Sequence, residues 1–133
     1  MRLLWVEDEI WLLYGFKERL EYENIFVETA GSFVEAKNIL EKSSFDAYIV
    51  DLRLPHGDNF NNREHLTLPE QKYTGLRVVE EIRKNDRFSP IFIFSVIKDE
   101  SIEKHLRKFG VTSILSKNIL PSALVREILK NIQ

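Results

Sequence analysis

The sequence predicts an α/β chain built on a doubly wound, five-stranded parallel sheet with helices on both faces. Three observations carry that reading. Five short apolar runs stand at 3–6, 25–30, 47–50, 91–94 and 113–116, and segments of helical period separate them. The runs are nearly continuous rather than alternating, as a parallel sheet covered on both sides requires. Charged residues follow three of them directly: Glu7 and Asp8, Asp51, and Lys117.

The first run, Leu3-Leu4-Trp5-Val6, ends at the acidic triplet Glu7-Asp8-Glu9, and Trp11, Leu12, Phe16 and Leu20 then recur at helical spacing. After the second run, Ser32 and Glu35 have the spacing of a capping box, opening a helix through Ala36, Ile39 and Leu40. The third run, Ala47-Tyr48-Ile49-Val50, delivers Asp51. Leu76, Val79 and Ile82 mark the next helix, and Ile91-Phe92-Ile93-Phe94 closes on Ser95. Ile102, Leu106 and Phe109 share one helical face, with Asp99 as N-cap and Gly110 as stop. After Ser113-Ile114-Leu115-Ser116 comes Lys117, and Pro121 suits the first turn of a last helix carrying Leu124, Val125, Ile128, Leu129 and Ile132.

One stretch resists this scheme. Asn59–Thr74 is mostly polar, lacks a sustained period and contains Pro69, so it is expected to be an irregular loop inserted in a single domain spanning 1–133. It leaves from the edge that carries Asp51. A tolerated surface insertion is the simplest reading; a lid or docking loop is the alternative.

Composition narrows the function. A chain of 133 residues with 44% hydrophobic content and nine Phe supplies one full core. The net charge of -2, from 21 acidic and 19 basic residues without a long run of either sign, gives no footprint for nucleic acid or an anionic membrane. The absence of cysteine removes disulfides and thiolate chemistry. No apolar run approaches the ~20 residues that span a bilayer, and the start is too short for a signal peptide, so a cytoplasmic location is expected.

Ligands of open α/β sheets bind at the carboxyl ends of strands, so Glu7, Asp8, Asp51 and Lys117, with the Ser95 hydroxyl, describe a common site. Taken singly, each has a structural role: Asp51 a turn former, Glu7 and Asp8 complements to a helix N-terminus, Lys117 a solvated lysine. Together they suit Mg²⁺, which takes one or two carboxylates plus phosphate oxygens. Asp51 is then the best nucleophile, since a carboxylate can accept a phosphoryl group as an acyl phosphate. His56, His65 and His105 lack metal-ligand spacing, and His105 reads as a solvated residue on the polar side of its helix.

The stretches Leu4-Trp5-Val6-Glu7-Asp8-Glu9, Val50-Asp51-Leu52-Arg53-Leu54-Pro55 with Asp58, Pro90-Ile91-Phe92-Ile93-Phe94-Ser95 and Leu115-Ser116-Lys117 resemble the receiver domain of two-component response regulators. Order and spacing agree over essentially the whole chain once 59–74 is treated as inserted before Gly75. The resemblance implies a flavodoxin-like strand order of 2-1-3-4-5. It implies Asp51 as phosphoacceptor, Glu7 and Asp8 as the metal-binding acidic pair, and Ser95 as the switch hydroxyl. Lys117 would contact the phosphoryl oxygen, and Arg53 would give its backbone carbonyl to Mg²⁺.

The implied partners are a sensor histidine kinase or phosphotransfer protein and a downstream protein target. This sequence carries no effector domain after Gln133, so the expectation is output by protein contact or a fragment of a longer regulator, with no turnover beyond the chain's own phosphorylation and dephosphorylation. Two positions depart from the family. Asn118 replaces the usual proline after the lysine, where a cis bond would cost ~2.5–4 kcal/mol, so a trans peptide is expected. Ile114 stands in place of the usual switch aromatic. These departures keep open an alternative, a phosphorylation-independent pseudo-receiver that acts as a protein-interaction module. Haloacid-dehalogenase-type phosphatases need an Asp-x-Asp nucleophile on the first strand, which Val6-Glu7-Asp8-Glu9 does not supply. FMN binding needs a phosphate cradle where this chain is acidic.

Overall fold

A computed structural model describes residues 1–57, 66–96 and 99–132. Strands β1 (Arg2–Val6), β2 (Phe26–Ala30), β3 (Ala47–Val50), β4 (Ile91–Ser95) and β5 (Ser113–Ser116) form one parallel sheet in the order 2-1-3-4-5. Helices α1 (Tyr14–Tyr22), α2 (Phe33–Lys42), α3 (Leu68–Lys72), α4 (Thr74–Asn85), α5 (Glu100–Lys108) and α6 (Pro121–Asn131) connect and cover it. The fold class and strand order expected from the sequence are those observed.

Strand residues point alternately to two cores. Leu4, Val6, Tyr48, Val50, Ile91 and Ile93 pack against α2, α4 and α5. Leu3, Trp5, Ala47, Ile49, Phe92 and Phe94 pack against α1 and α6 through Leu13, Leu20, Leu124, Val125 and Ile128. Near-continuous apolar strands follow directly from this double coverage.

Helix starts obey their local chemistry. Ser32 Oγ accepts from Glu35 N–H at 3.1 Å, while the Glu35 carboxylate turns to Gly31 N–H at 2.9 Å. Asp99 caps α5 by accepting from Ser101 N–H at 3.0 Å, and Gly110 follows that helix at φ +67°. Pro121 lies in the first turn of α6, where its missing N–H costs nothing.

Two expectations require correction. Ile10–Leu13 forms a 3₁₀ turn before α1, which leaves Trp11 and Leu12 exposed at 63% and 49% while Leu13 enters the core. The tighter winding rotates the apolar positions away from an α-helical face. The second correction concerns 59–74, of which residues 59–65 lie outside the described residues. Leu68–Lys72 is helical rather than irregular, because Thr67 and Glu70 form a complete capping box and Pro69 sits in the first turn. Leu66, Tyr73 and Thr74 are buried, so this end of the stretch belongs to the packed domain.

Candidate phosphoacceptor site

The site lies at the carboxyl edge of the sheet, in the crevice between β1 and β3 where the strand order reverses. The parallel ladder continues one residue beyond the strands: Glu7 N–H donates to Ala30 O and Asp51 N–H to Val6 O, both at 2.9 Å. Those bonds fix the backbones of two buried carboxylates on adjacent strands. Asp8, next in the chain, is exposed.

Lys117, delivered by β5, reaches across the edge. Its Nζ donates to Asp51 Oδ2 at 2.9 Å and to Glu7 Oε1 at 3.2 Å, and lies 3.1 Å from Glu7 Oε2. Ser95, buried at the end of β4, lines the same cleft of about 460 Å³ with Asp8, Asp51, Arg53 and Lys117. Arg53 is exposed at the rim, and its N–H donates to Asp51 Oδ1 at 3.3 Å. All six residues singled out in the sequence are therefore brought together.

Charge crowding is visible in Glu7. Burial, followed by the neighbouring Asp51 charge, pushes its carboxyl up to about 7 against the opposing pull of Lys117. Burial works against the Lys117 ammonium, but hydrogen bonds and charge from Asp51 and Glu7 outweigh it and hold that group above its ordinary value. One ammonium thus faces two buried carboxylates.

The trio of Glu7, Asp8 and Asp51 offers carboxylate oxygens within 4.8 Å of one another. Glu7 Oε2 is shut off from solvent and forms an ion pair with Lys117 Nζ at 3.1 Å but no well-aligned hydrogen bond. An all-oxygen set of three carboxylates facing one ammonium fits a hard divalent cation such as Mg²⁺.

Gly75 positions the loop that follows Asp51. Its N–H donates to Leu52 O at 3.0 Å, and a Cβ there would overlap the Asp51 carbonyl oxygen and come within 2.7 Å of Leu52 Cα. The Lys117–Asn118 peptide is trans, with Asn118 N–H donating to Ser116 Oγ at 3.1 Å. Ile114 is half-exposed and lines a neighbouring cleft with Ser95 and Val96.

The sequence profile of the response regulator receiver domain matches residues 3–129. This chain belongs to that family. No curated protein matches it. Among solved structures, the fold is similar to a CheY-like receiver domain protein from Methanospirillum hungatei, with a TM-score of 0.80, 20% identity and coverage of 98% of this chain and 92% of the other. It is also similar to the non-phosphorylated HemR receiver domain from Leptospira biflexa, with a TM-score of 0.78, 25% identity and coverage of 99% and 94%. A third similar structure is the receiver domain of sensor histidine kinase PA1611 from Pseudomonas aeruginosa, solved with magnesium in its active-site cleft (TM-score 0.74, 21% identity, coverage 98% and 96%). Among the described residues, no helix is long and apolar enough to cross a membrane.

Two histidines are placed differently from, or beyond, what sequence reasoning saw. His56 is buried beside the site, its Nε2 3.1 Å from Thr74 Oγ1 and its Nδ1 2.7 Å from Arg77 Nη1. No motif spacing flags it, because its partners are about twenty residues away on α4. His105 is half-buried rather than solvated, with its ring against Phe109 and Nε2 3.7 Å from Glu80 Oε1. His65 lies outside the described residues.

Proposed function

We propose that this receiver domain is a phosphoacceptor switch that takes a phosphoryl group from the phosphohistidine of a sensor kinase or phosphotransfer protein onto Asp51. The observation that carries the reading is Asp51 Oδ2 held 2.9 Å from Lys117 Nζ beside the Glu7 and Asp8 carboxylates, in a chain of this family. An Asp51 oxygen attacks phosphorus; an O–P bond forms as the N–P bond breaks, and the imidazole leaves with the electron pair. Lys117 neutralises the phosphoryl oxygens, and the Ser95 hydroxyl offers them a donor at the same edge. Glu7, Asp8, Asp51 and the Arg53 backbone carbonyl would hold Mg²⁺, which when bound supplies charge neutralisation for the transferring group. The family and the soluble receiver fold support a cytoplasmic setting and output through protein contact. The stretch 59–74 is an insertion in the receiver frame.

Intact mass after incubation with acetyl phosphate and Mg²⁺ tests the assignment. One phosphate adduct is expected in the wild type and none in Asp51→Asn. An adduct that persists in the variant moves the acceptor elsewhere; no adduct in the wild type favours the phosphorylation-independent interaction module.

A further inference from the structure

His56 stands on the loop that carries the chain away from Asp51, and that loop is tied down on two sides. Toward α2, Phe33 N–H donates to Pro55 O at 3.1 Å and Val34 N–H to His56 O at 2.9 Å, so the loop carbonyls satisfy first-turn donors of the helix. Gly57 closes the segment at φ +87°, where a Cβ would come within 2.5 Å of Ser32 Oγ. Toward α4, the buried His56 ring lies between Thr74 Oγ1, 3.1 Å from Nε2, and Arg77 Nη1, 2.7 Å from Nδ1. Thr74 and Arg77 have the spacing of neighbours on one helical face, and the Arg77 guanidinium also lies over the Phe33 ring, 3.8 Å from its centroid. One imidazole therefore joins the loop, α2 and α4.

The chemistry of the partners fixes the ring. A guanidinium has donors and no acceptor, so Nδ1 must meet Arg77 with a lone pair. The proton then sits on Nε2, which donates to Thr74 Oγ1. The other tautomer would set an N–H against an N–H.

What this holds still is the short span between Asp51 and His56. Gly75 N–H grips Leu52 O at 3.0 Å on one side, the bonds of Pro55 and His56 grip the other, and Arg53 between them donates its N–H to Asp51 Oδ1 at 3.3 Å. We propose that His56 is a positioning residue of the phosphoacceptor site: its Nε2–H tautomer, set by Arg77 and Thr74, keeps the Arg53 backbone in place against Asp51. This role rests on Asp51 as phosphoacceptor and on the Arg53 carbonyl as a Mg²⁺ ligand. A carboxylate and a carbonyl already in position need no reordering when the metal arrives. Releasing the loop should thus weaken Mg²⁺ binding and slow transfer together, although His56 is not itself a ligand.

The experiment is NMR of the whole protein at neutral pH. Long-range ¹H–¹⁵N correlation reads the ring, and a single Nε2–H tautomer is expected for His56. Amide exchange at Arg53 reads the pinning, and a Mg²⁺ titration followed at the Asp51 and Arg53 amides reads the metal site. His56→Leu, which occupies the space without the polar atoms, should speed Arg53 exchange and weaken Mg²⁺ several-fold at temperatures well below its Tm. It should also slow phosphate incorporation from acetyl phosphate at limiting Mg²⁺. His56→Asn, whose carbonyl can take the place of Nδ1 before Arg77, should recover part of that loss. An Nδ1–H tautomer in the wild type overturns the proposal, as does a His56→Leu protein that is less stable yet keeps wild-type Arg53 exchange and Mg²⁺ affinity. Should His56→Leu fail to fold, Thr74→Val, which removes the acceptor of Nε2–H, must speed Arg53 exchange, and unchanged exchange there is equally fatal. A wild type that binds no Mg²⁺ and takes no phosphate would sink the reading of the site instead, and Arg53 exchange in the variants would still decide the role of His56.

Discussion

Replacing Lys117 by methionine tests whether the ammonium is what makes the crowded edge of the sheet tolerable. The variant keeps the aliphatic stem and removes the charge 2.9 Å from Asp51 and 3.1–3.2 Å from Glu7. Breaking a buried ion pair by deleting one partner typically costs ~3–5 kcal/mol. Two features moderate that figure here: the Lys117 side chain is 19% exposed, and Glu7 already holds its proton up to about 7 and can neutralise itself. We expect a loss of about 2–3 kcal/mol in neutral, Mg²⁺-free buffer, or roughly 6–12 °C in Tm for a domain of this size. The loss must depend on pH. Without Lys117 the Glu7 carboxyl rises further, so the protonated form maintains stability in mild acid and the deficit widens as pH climbs past about 7. Calorimetry of both proteins over that range, with and without Mg²⁺, reads the effect; millimolar Mg²⁺ should shrink the alkaline deficit by replacing the missing charge. A variant equally destabilised in acid and alkali, or as stable as wild type above neutrality, would refute the reasoning.

Other expectations follow from single contacts. Arg83 donates to the carbonyls of Phe109 at 2.6 Å, Ser89 at 2.8 Å, Asp86 at 3.0 Å and Gly110 at 3.1 Å; Arg83→Lys should cost about 2–3 kcal/mol, lowering the urea midpoint without changing its slope. Gly75→Ala should destabilise by about 2–3 kcal/mol and slow phosphorylation as well, because relief of the overlap displaces the Asp51 backbone; normal kinetics would show that α4 yields instead. Tyr73→Ala should cost about 3 kcal/mol despite its position in the polar stretch, measured by thermal unfolding. Mg²⁺ at a hundredfold excess over its Kd should add ~2.7 kcal/mol, and Trp11, exposed and close to the acidic pair in sequence, should report binding by fluorescence. Asp8→Ala should abolish that response, Glu9→Ala far less.

The sheet and site were legible because they rest on short-range rules. Near-continuous runs such as Ala47-Tyr48-Ile49-Val50 have the length and β-branched, aromatic character of strands buried on both faces, and three of the five deliver a terminal charge to the same edge. Trp11 and Leu12 misled because apolar character does not distinguish an α turn from a 3₁₀ turn, and the difference rotates them into solvent. The α3 helix had a legible signal, Thr67 and Glu70 in capping-box spacing, which the polarity of the stretch and Pro69 obscured. The surroundings of His56 and His105 had none. Their partners Arg77 and Glu80 become neighbours only after α4 has packed.

The hydrogen bond from Gly75 to Leu52 has a consequence for how such a chain can be remodelled. It fastens the exit and the return of a long excursion to one point, so the excursion is a ring closed beside Asp51. Lengthening a ring already closed adds only ~0.6 kcal/mol per doubling. Residues grafted after Gly57 and before Leu66 would therefore be carried as cargo, leaving the hinge of the ring and the Leu66 and Tyr73 anchors in place. This makes the locus a natural port for splicing a reporter or a foreign recognition module into the domain, in a stretch whose base, Leu52 to Gly75, is closed by one hydrogen bond beside Asp51.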